Sequence, residues 1–232
     1  MAFFVLIPGA GGSAWYWHRV VPLLERAGHE ALAVDLPGGD ERSGLGAYAE
    51  LVIRAIGART DVILVAQSLG GFTAALVCAR ATMRMLVFVN AMIPMPGETA
   101  GDWWGNTGSL EAQRAAAKRD GYSAEFDVAT YFLHDVPADV VQEGAAHQRP
   151  QAKSAFTEPC RFDRWPDVPI RILVGENDRF FPVEFQERVA RQRMNKDIDR
   201  IVGGHLVALS NPRGLVDRLL AYERELSIRR PE

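Results

Sequence analysis

Cysteine is scarce in this chain. Its 232 residues hold two, Cys78 and Cys160, and two cysteines so far apart offer no metal-ligand spacing. A disulfide between them stays open, but two free buried thiols are the preferred reading, and that pattern fits a reducing cytoplasm. Charge of one sign is equally scant. A formal net charge of -3 predicts no attraction to nucleic acid or to an anionic membrane, and acidic and basic residues are interspersed as on solvated helix faces. No hydrophobic run approaches bilayer length. The opening MAFFVLIPGAGG has no basic stretch before its short apolar run, so it reads as a strand and not as a leader or an anchor. No internal repeat, low-complexity stretch or cluster of Arg and Lys suited to a phosphate or coenzyme A is found. The one basic end, IRRPE, reads as a tail. What remains is an ordinary globular composition, 48% hydrophobic and 24% charged, long enough for one domain with a large core.

Apolar runs of strand length alternate with amphipathic stretches of helix length. Strands are expected at 3–7, 29–35, 61–66, 85–90, 170–174 and 197–202. Helices are expected at 14–27, 47–58 and 70–81, after each of the last two strands, and from Asn211-Pro212 onward, with the proline at a helix start. VILVA and LVFVN are apolar throughout and do not alternate, the mark of parallel strands covered by helices on both faces. The rhythm therefore predicts an α/β fold, a mostly parallel, doubly wound sheet. Residues 94–165 break it with helical patterns and no convincing strand. They read as a helical cap inserted into a core made of residues 1–93 and 166–232, the whole forming one integrated domain.

The third strand ends in VAQSLGG, with Ser68 where strand becomes helix. A serine in so tight a turn needs small neighbours, and Ala66, Gly70 and Gly71 supply them. The pattern is G-x-S-x-G with Ala in the first place. Alone, Ser68 could equally be a helix cap. Its partners decide the matter. A serine hydroxyl needs a base, and the base needs an acid to hold its tautomer. Such folds place them in the order Ser, acid, His. Asp178 follows a buried strand in VGENDRFFP, and His205 follows the last strand in IVGGHLVALSNP. Glu176 is the rival acid, and Asp178 is preferred because it lies deeper in the loop. Of the other histidines, His18, His29, His134 and His147, surface or capping roles are the default, with a place at the pocket open to His134. The oxyanion donors are expected to be the amides of Leu69, next after the nucleophile, and Ala10 in the glycine-rich PGAGGSAW loop, with Gly11 the near alternative.

FVLIPGAGGSAWYW, AGHEALAVDLPG, VILVAQSLGG, VPADV, PVEFQ and GGHLVALSNP together resemble the α/β-hydrolase superfamily, and within it the branch of plant methyl esterases, hydroxynitrile lyases and their bacterial relatives. The likeness covers nearly the whole chain. It implies an α/β-hydrolase fold with a helical cap, and a serine hydrolase that needs no metal or organic cofactor. That branch usually reads His-Gly-Ala in the oxyanion loop, where this chain has Pro8-Gly9-Ala10. The resemblance further implies that a lyase would carry Thr where Gly9 stands and Lys where Leu206 stands, so an esterase is expected over a lyase. The expected substrate is a small to medium, largely apolar ester, with thioesters and lactones open, handled by a cytoplasmic monomer or homodimer. A ligand-binding protein with an intact triad and little turnover is the second alternative. Trp103, Trp104, Phe132 and Met92 are expected to meet the substrate, out of a larger aromatic set that mostly packs the cap.

Overall fold

The non-alternating apolar runs build the centre of the molecule. In the computed structural model, which describes residues 1–228, the strands β1 (Phe3–Ile7), β2 (Glu30–Ala33), β3 (Val62–Gln67), β4 (Met85–Val89), β5 (Ile170–Gly175) and β6 (Asp199–Ile201) form one sheet in the order β2-β1-β3-β4-β5-β6. Every neighbouring pair is parallel, in registers such as Val5 with Leu64 and Leu64 with Leu86. β1, β3 and β4 are buried along their whole length, as their composition demands.

Alternate residues of each strand serve two cores. Phe3, Val5, Ile7 and Phe88 face one side, covered by α2 (Leu45–Ile56), α3 (Gly70–Cys78) and α8 (Val183–Met194). Phe4, Leu6, Val65 and Val87 face the other, covered by α1 (Val21–Arg26) and α10 (Pro212–Ile228). Phe4 and Phe88 are fully buried, and truncating either to Ala would cost about 3–5 kcal/mol.

Between β4 and β5 the chain passes through α4 (Ala100–Thr107), α5 (Ser109–Asp120), a π-helical turn (Ala129–Leu133), α6 (Ala138–Gly144), a 3-10 turn (Ala145–His147) and α7 (Ser154–Thr157). Thr99 caps α4 by accepting from the Asp102 amide at 3.0 Å.

Several element bounds depart from the sequence expectation: α2 starts and ends two residues early, α3 stops at Cys78 instead of 81, β2 stops at Ala33 instead of 35, and β3 is shifted by one residue. The helix expected at 14–27 is a 3-10 turn (Ala14–Trp17) followed by α1, because Pro22 fits only the first turn of a helix. β2 begins one residue late, and His29 instead accepts the Ala2 amide on Nδ1 at 3.3 Å. β6 has three residues only, followed after a loop by one turn of helix, α9 (Val207–Ser210).

Cys78 and Cys160 are free, and burial pushes both thiols up to about 12, so neither is a thiolate at neutral pH. No helix among the described residues is long and apolar enough to cross a membrane. The basic tail, from residue 229 on, lies outside the described residues.

Candidate active site

β1 and β3 are neighbours, but the chain crosses to β2 on the far side of β1 between them, which opens a crevice at the carboxyl edge of the sheet. The first residue past β3 at that edge is Ser68. Its φ of +51° is a conformation L-residues avoid, so the turn stores strain and is held from both sides. The Ser68 carbonyl accepts from the Met92 amide at 3.0 Å and the Gly71 amide at 3.1 Å. A Cβ on Gly71 would meet the Met92 carbonyl oxygen at 2.0 Å, which explains the glycine.

His205 lies four residues past β6 and Asp178 three past β5. His205 Nε2 stands 3.1 Å from Ser68 Oγ, and His205 Nδ1 stands 2.9 Å from Asp178 Oδ2. The Asp178 carboxylate can only accept, so Nδ1 carries the hydrogen and Nε2 is left to accept from Ser68. Asp178 Oδ1 takes the amides of Phe180 and Phe181 at 2.9 and 2.8 Å, and Oδ2 also takes Gln186 Nε2 at 3.3 Å. The imidazole is 2% exposed, boxed by Phe132, Phe180 and Phe181 with ring centres 5.0–5.1 Å away. Glu176 is exposed and lies outside this chain of bonds.

Residues that motif reading missed hold the loops. Asn90, the residue after β4, accepts the Gly175 amide on Oδ1 at 2.7 Å and donates from Nδ2 to the carbonyls of Gly204 and His205 at 2.9 and 3.2 Å. Gln67 Nε2 donates to the His205 carbonyl at 3.3 Å, and Asp135 Oδ2 accepts the Gly204 amide at 2.5 Å. The available signal was an Asn directly after a buried strand, since Asn is among the few residues that tolerate positive φ, here +46°.

The Leu69 amide opens α3, where developing negative charge is favoured. The Gly11 amide is already engaged, donating to Gln151 Oε1 at 2.9 Å. The amides of Ala10 and Leu69 donate to no acceptor among the described residues. A cavity of about 330 Å3 opens over Ser68, His205 and Ala10. Its walls are aliphatic and aromatic: Phe132, Leu133, Val136, Val140, Leu206 and Leu209 among them. Arg149 stands at its edge but pairs with Asp35 at 2.7 Å.

Of the four side chains expected to meet the substrate, Phe132 alone lines this cavity. Trp103 is fully buried in the core, with Nε1 donating to the Ile93 carbonyl at 3.1 Å. Trp104 packs edge-on against Trp103 and Phe180. Met92 is buried and serves the Ser68 turn through its amide. His134 faces a separate depression beside Glu176 and Asn177, and burial lowers its pKa. His147, by contrast, lines the cavity and stacks on Trp15 at 5.0 Å.

A model of the alpha/beta hydrolase family matches residues 4–218. The alpha-hydroxynitrile lyase of Arabidopsis thaliana is 37% identical over 249 aligned residues, 94% of this chain and 95% of that protein. The probable esterase PIR7A of Oryza sativa subsp. indica is 34% identical over 110 residues, 42% of each chain. The match therefore spans under half the length of that esterase. Among solved structures, polyneuridine aldehyde esterase superposes with a TM-score of 0.80 at 23% identity, over 96% of this chain and 99% of that one, a likeness of fold.

Proposed function

The chain belongs to the alpha/beta hydrolase family, and from that premise we propose that it is a serine esterase acting on small to medium, largely apolar esters. The observation that carries this reading is the unbroken line of hydrogen bonds from Asp178 through His205 to Ser68 Oγ, with Ser68 opening on an apolar cavity. His205 Nε2 takes the Ser68 proton as Oγ attacks the ester carbonyl carbon. The carbonyl oxygen becomes an anion held by the amides of Ala10 and Leu69. Collapse of the tetrahedral intermediate breaks the bond to the alcohol, which leaves with the proton from His205. Water repeats the sequence, releasing the acid and restoring the Ser68 hydroxyl. Asp178 stays ionised and orients the ring throughout. Residues 94–165 act as the cap over a core of 1–93 and 166–232, and the two free thiols support a cytoplasmic setting. Thioesters and lactones fit the same chemistry.

The test is a series of p-nitrophenyl esters of graded length. The parent turns over, and Ser68→Ala loses about a thousandfold or more. No turnover of any ester would leave a ligand-binding protein as the reading. A second enzymatic reading, cyanohydrin cleavage, has one observation in its favour, the nearly full-length match to the Arabidopsis lyase. Against it, Leu206 lines the cavity, and among the described residues no ammonium group stands there to receive cyanide. Robust release of cyanide from mandelonitrile would overturn the esterase reading.

A further inference from the structure

The Ala10 loop is a four-residue turn. The Gly12 amide donates to the Gly9 carbonyl at 3.1 Å, and Gly11 has the φ of +83° that a type II turn demands at its third residue. Type I and type II turns differ by a flip of the central peptide, here the one joining Ala10 to Gly11. Such a flip needs little space, and a glycine at the third position permits both forms. Something must choose. Pro8 offers the loop no side-chain hydrogen bond.

We propose that Gln151 is the positioning residue of the oxyanion loop, locking the central Ala10–Gly11 peptide and so fixing the form of the Gly9–Gly12 turn, whose preceding peptide carries the Ala10 amide. This rests on the esterase reading above. Gln151 reaches the loop across 140 positions of sequence, and its Oε1 accepts the Gly11 amide at 2.9 Å. Its Nε2 stands 3.1 Å from the Tyr48 hydroxyl, 3.1 Å from the Ala152 carbonyl and 3.3 Å from the Gly38 carbonyl. Acceptor and donor ends are thus both committed, and the carbonyls on the Nε2 side forbid the flipped amide. The frame around it is tight. The Gly38 carbonyl also accepts the Ala152 amide at 2.7 Å, and Gly12 accepts the Leu36 amide at 2.8 Å. A Cβ on Gly11 would meet the Arg149 carbonyl oxygen at 2.8 Å. The loop is therefore clasped between the 36–38 segment and the 149–152 segment, and among the described residues only the Gln151 side chain bonds its central amide.

The consequence is electrostatic. An oxyanion donor works because it is aimed before the charge develops, and the Ala10 amide, in the peptide next to the locked one, keeps its aim only while the turn keeps one form. Loss of the Gln151 bond therefore weakens transition-state binding while leaving ground-state binding nearly untouched.

Two variants test this. Gln151→Met keeps the length and removes both hydrogen-bonding ends. Gln151→Glu keeps an acceptor for Gly11. Three quantities are measured: kcat and KM on a p-nitrophenyl ester, inhibition by phenylboronic acid, which becomes tetrahedral on Ser68, and hydrogen exchange of the Gly11 amide. Gln151→Met is expected to lower kcat about tenfold to hundredfold with KM within about twofold. The boronate affinity should fall by a similar factor, and the Gly11 amide should exchange faster. Gln151→Glu keeps the Gly11 acceptor but sets its second oxygen against the Gly38 and Ala152 carbonyls, so it should fall between Gln151→Met and the parent in each. The proposal is overturned if Gln151→Met keeps kcat and boronate affinity within about twofold of the parent, or if the Gly11 amide stays as protected as before. It is equally overturned if Gln151→Glu protects Gly11 yet is as slow as Gln151→Met. A parent that turns over no ester sinks the esterase reading instead, and boronate affinity and Gly11 exchange then still decide whether Gln151 holds the loop.

Discussion

Asn90 Oδ1 accepts the Gly175 amide at 2.7 Å, and this bond extends the pairing of β4 with β5 to the end of β5, beneath the loop that carries Asp178. The same side chain turns its Nδ2 to the Gly204 and His205 carbonyls, so Asn90 is shared by the acid loop and the histidine loop. It is 1% exposed, with no room for water to replace a lost partner. Asn90→Ala strands the Gly175 amide and the Gly204 carbonyl, leaves the His205 carbonyl to Gln67 alone, and places Ala at φ +46°. The expected cost is about 2–4 kcal/mol, from about 1–3 kcal/mol for each unsatisfied buried group, with relaxation recovering part. Urea unfolding measures it, and kcat should fall at least about tenfold as His205 loses its fixed height over Ser68. An Asn90→Ala variant with the parent's stability and rate would show that Gln67 and Asp135 hold the loop without it.

How far the sequence could be read depends on how local each cause is. The sheet was legible because burial on both faces writes itself into consecutive residues such as VILVA. Ser68, Asp178 and His205 were legible because each stands just past such a run, in a chain order the serine turn itself suggests, and the structure brings their side chains within hydrogen-bond distance. Asn90, Asp135 and Gln151 act on backbone groups 85, 69 and 140 residues away, and a side chain reaching that far leaves no local pattern. The cap aromatics misled for a related reason. A tryptophan's composition says that it is buried but not on which side, and Trp103 turns inward to the Ile93 carbonyl instead of toward the cavity. The break between Trp17 and Val21 was visible in Pro22, once that proline is read as a helix start and not as a tolerated interior residue.

The Glu98–Arg193 pair fixes the start of the β4–β5 segment to α8. It is bidentate, at 2.5 and 2.9 Å, with the two side chains 4% and 9% exposed. Burial alone would raise the Glu98 carboxyl, but Arg193, Asn106 and the Met95 amide outweigh it and hold the pKa below its usual value. Glu98→Gln leaves the arginine charge buried and uncompensated, and should destabilise by about 3 kcal/mol. The double variant Glu98→Leu, Arg193→Met removes both charges and should lie closer to the parent. The sign with pH follows from the lowered carboxyl. The pair's contribution is complete above the ordinary glutamate value of about 4.3 and is lost as pH falls through the lower folded value. Urea midpoints at pH 7 and from pH 5 to 3 check both parts. A double variant as weak as Glu98→Gln at pH 7, or one that loses stability with acid as steeply as the parent, would count against the pair.

Val140 lies on α6 with its side chain in the cavity wall, on the same side as Val136. At about 330 Å3 the cavity holds only a modest ligand, so the wall nearest the bound chain should set its length. Val140→Phe adds a ring to that wall without touching Ser68, His205 or Ala10. Short acyl chains need none of the lost space, and acetate ester turnover should stay within about threefold of the parent. Octanoate should lose about tenfold or more in kcat/KM, since an apolar pocket discriminates chain length by about 1–3 kcal/mol. The assay is run twice, once varying the acyl chain under a constant p-nitrophenol and once varying the alcohol of an acetate. A length shift in the first series assigns the cavity to the acyl half of the ester, and a shift in the second assigns it to the alcohol. Equal losses at every length would mean that the ring has disturbed the catalytic groups, and no loss at any length would mean that substrates bind elsewhere than under α6.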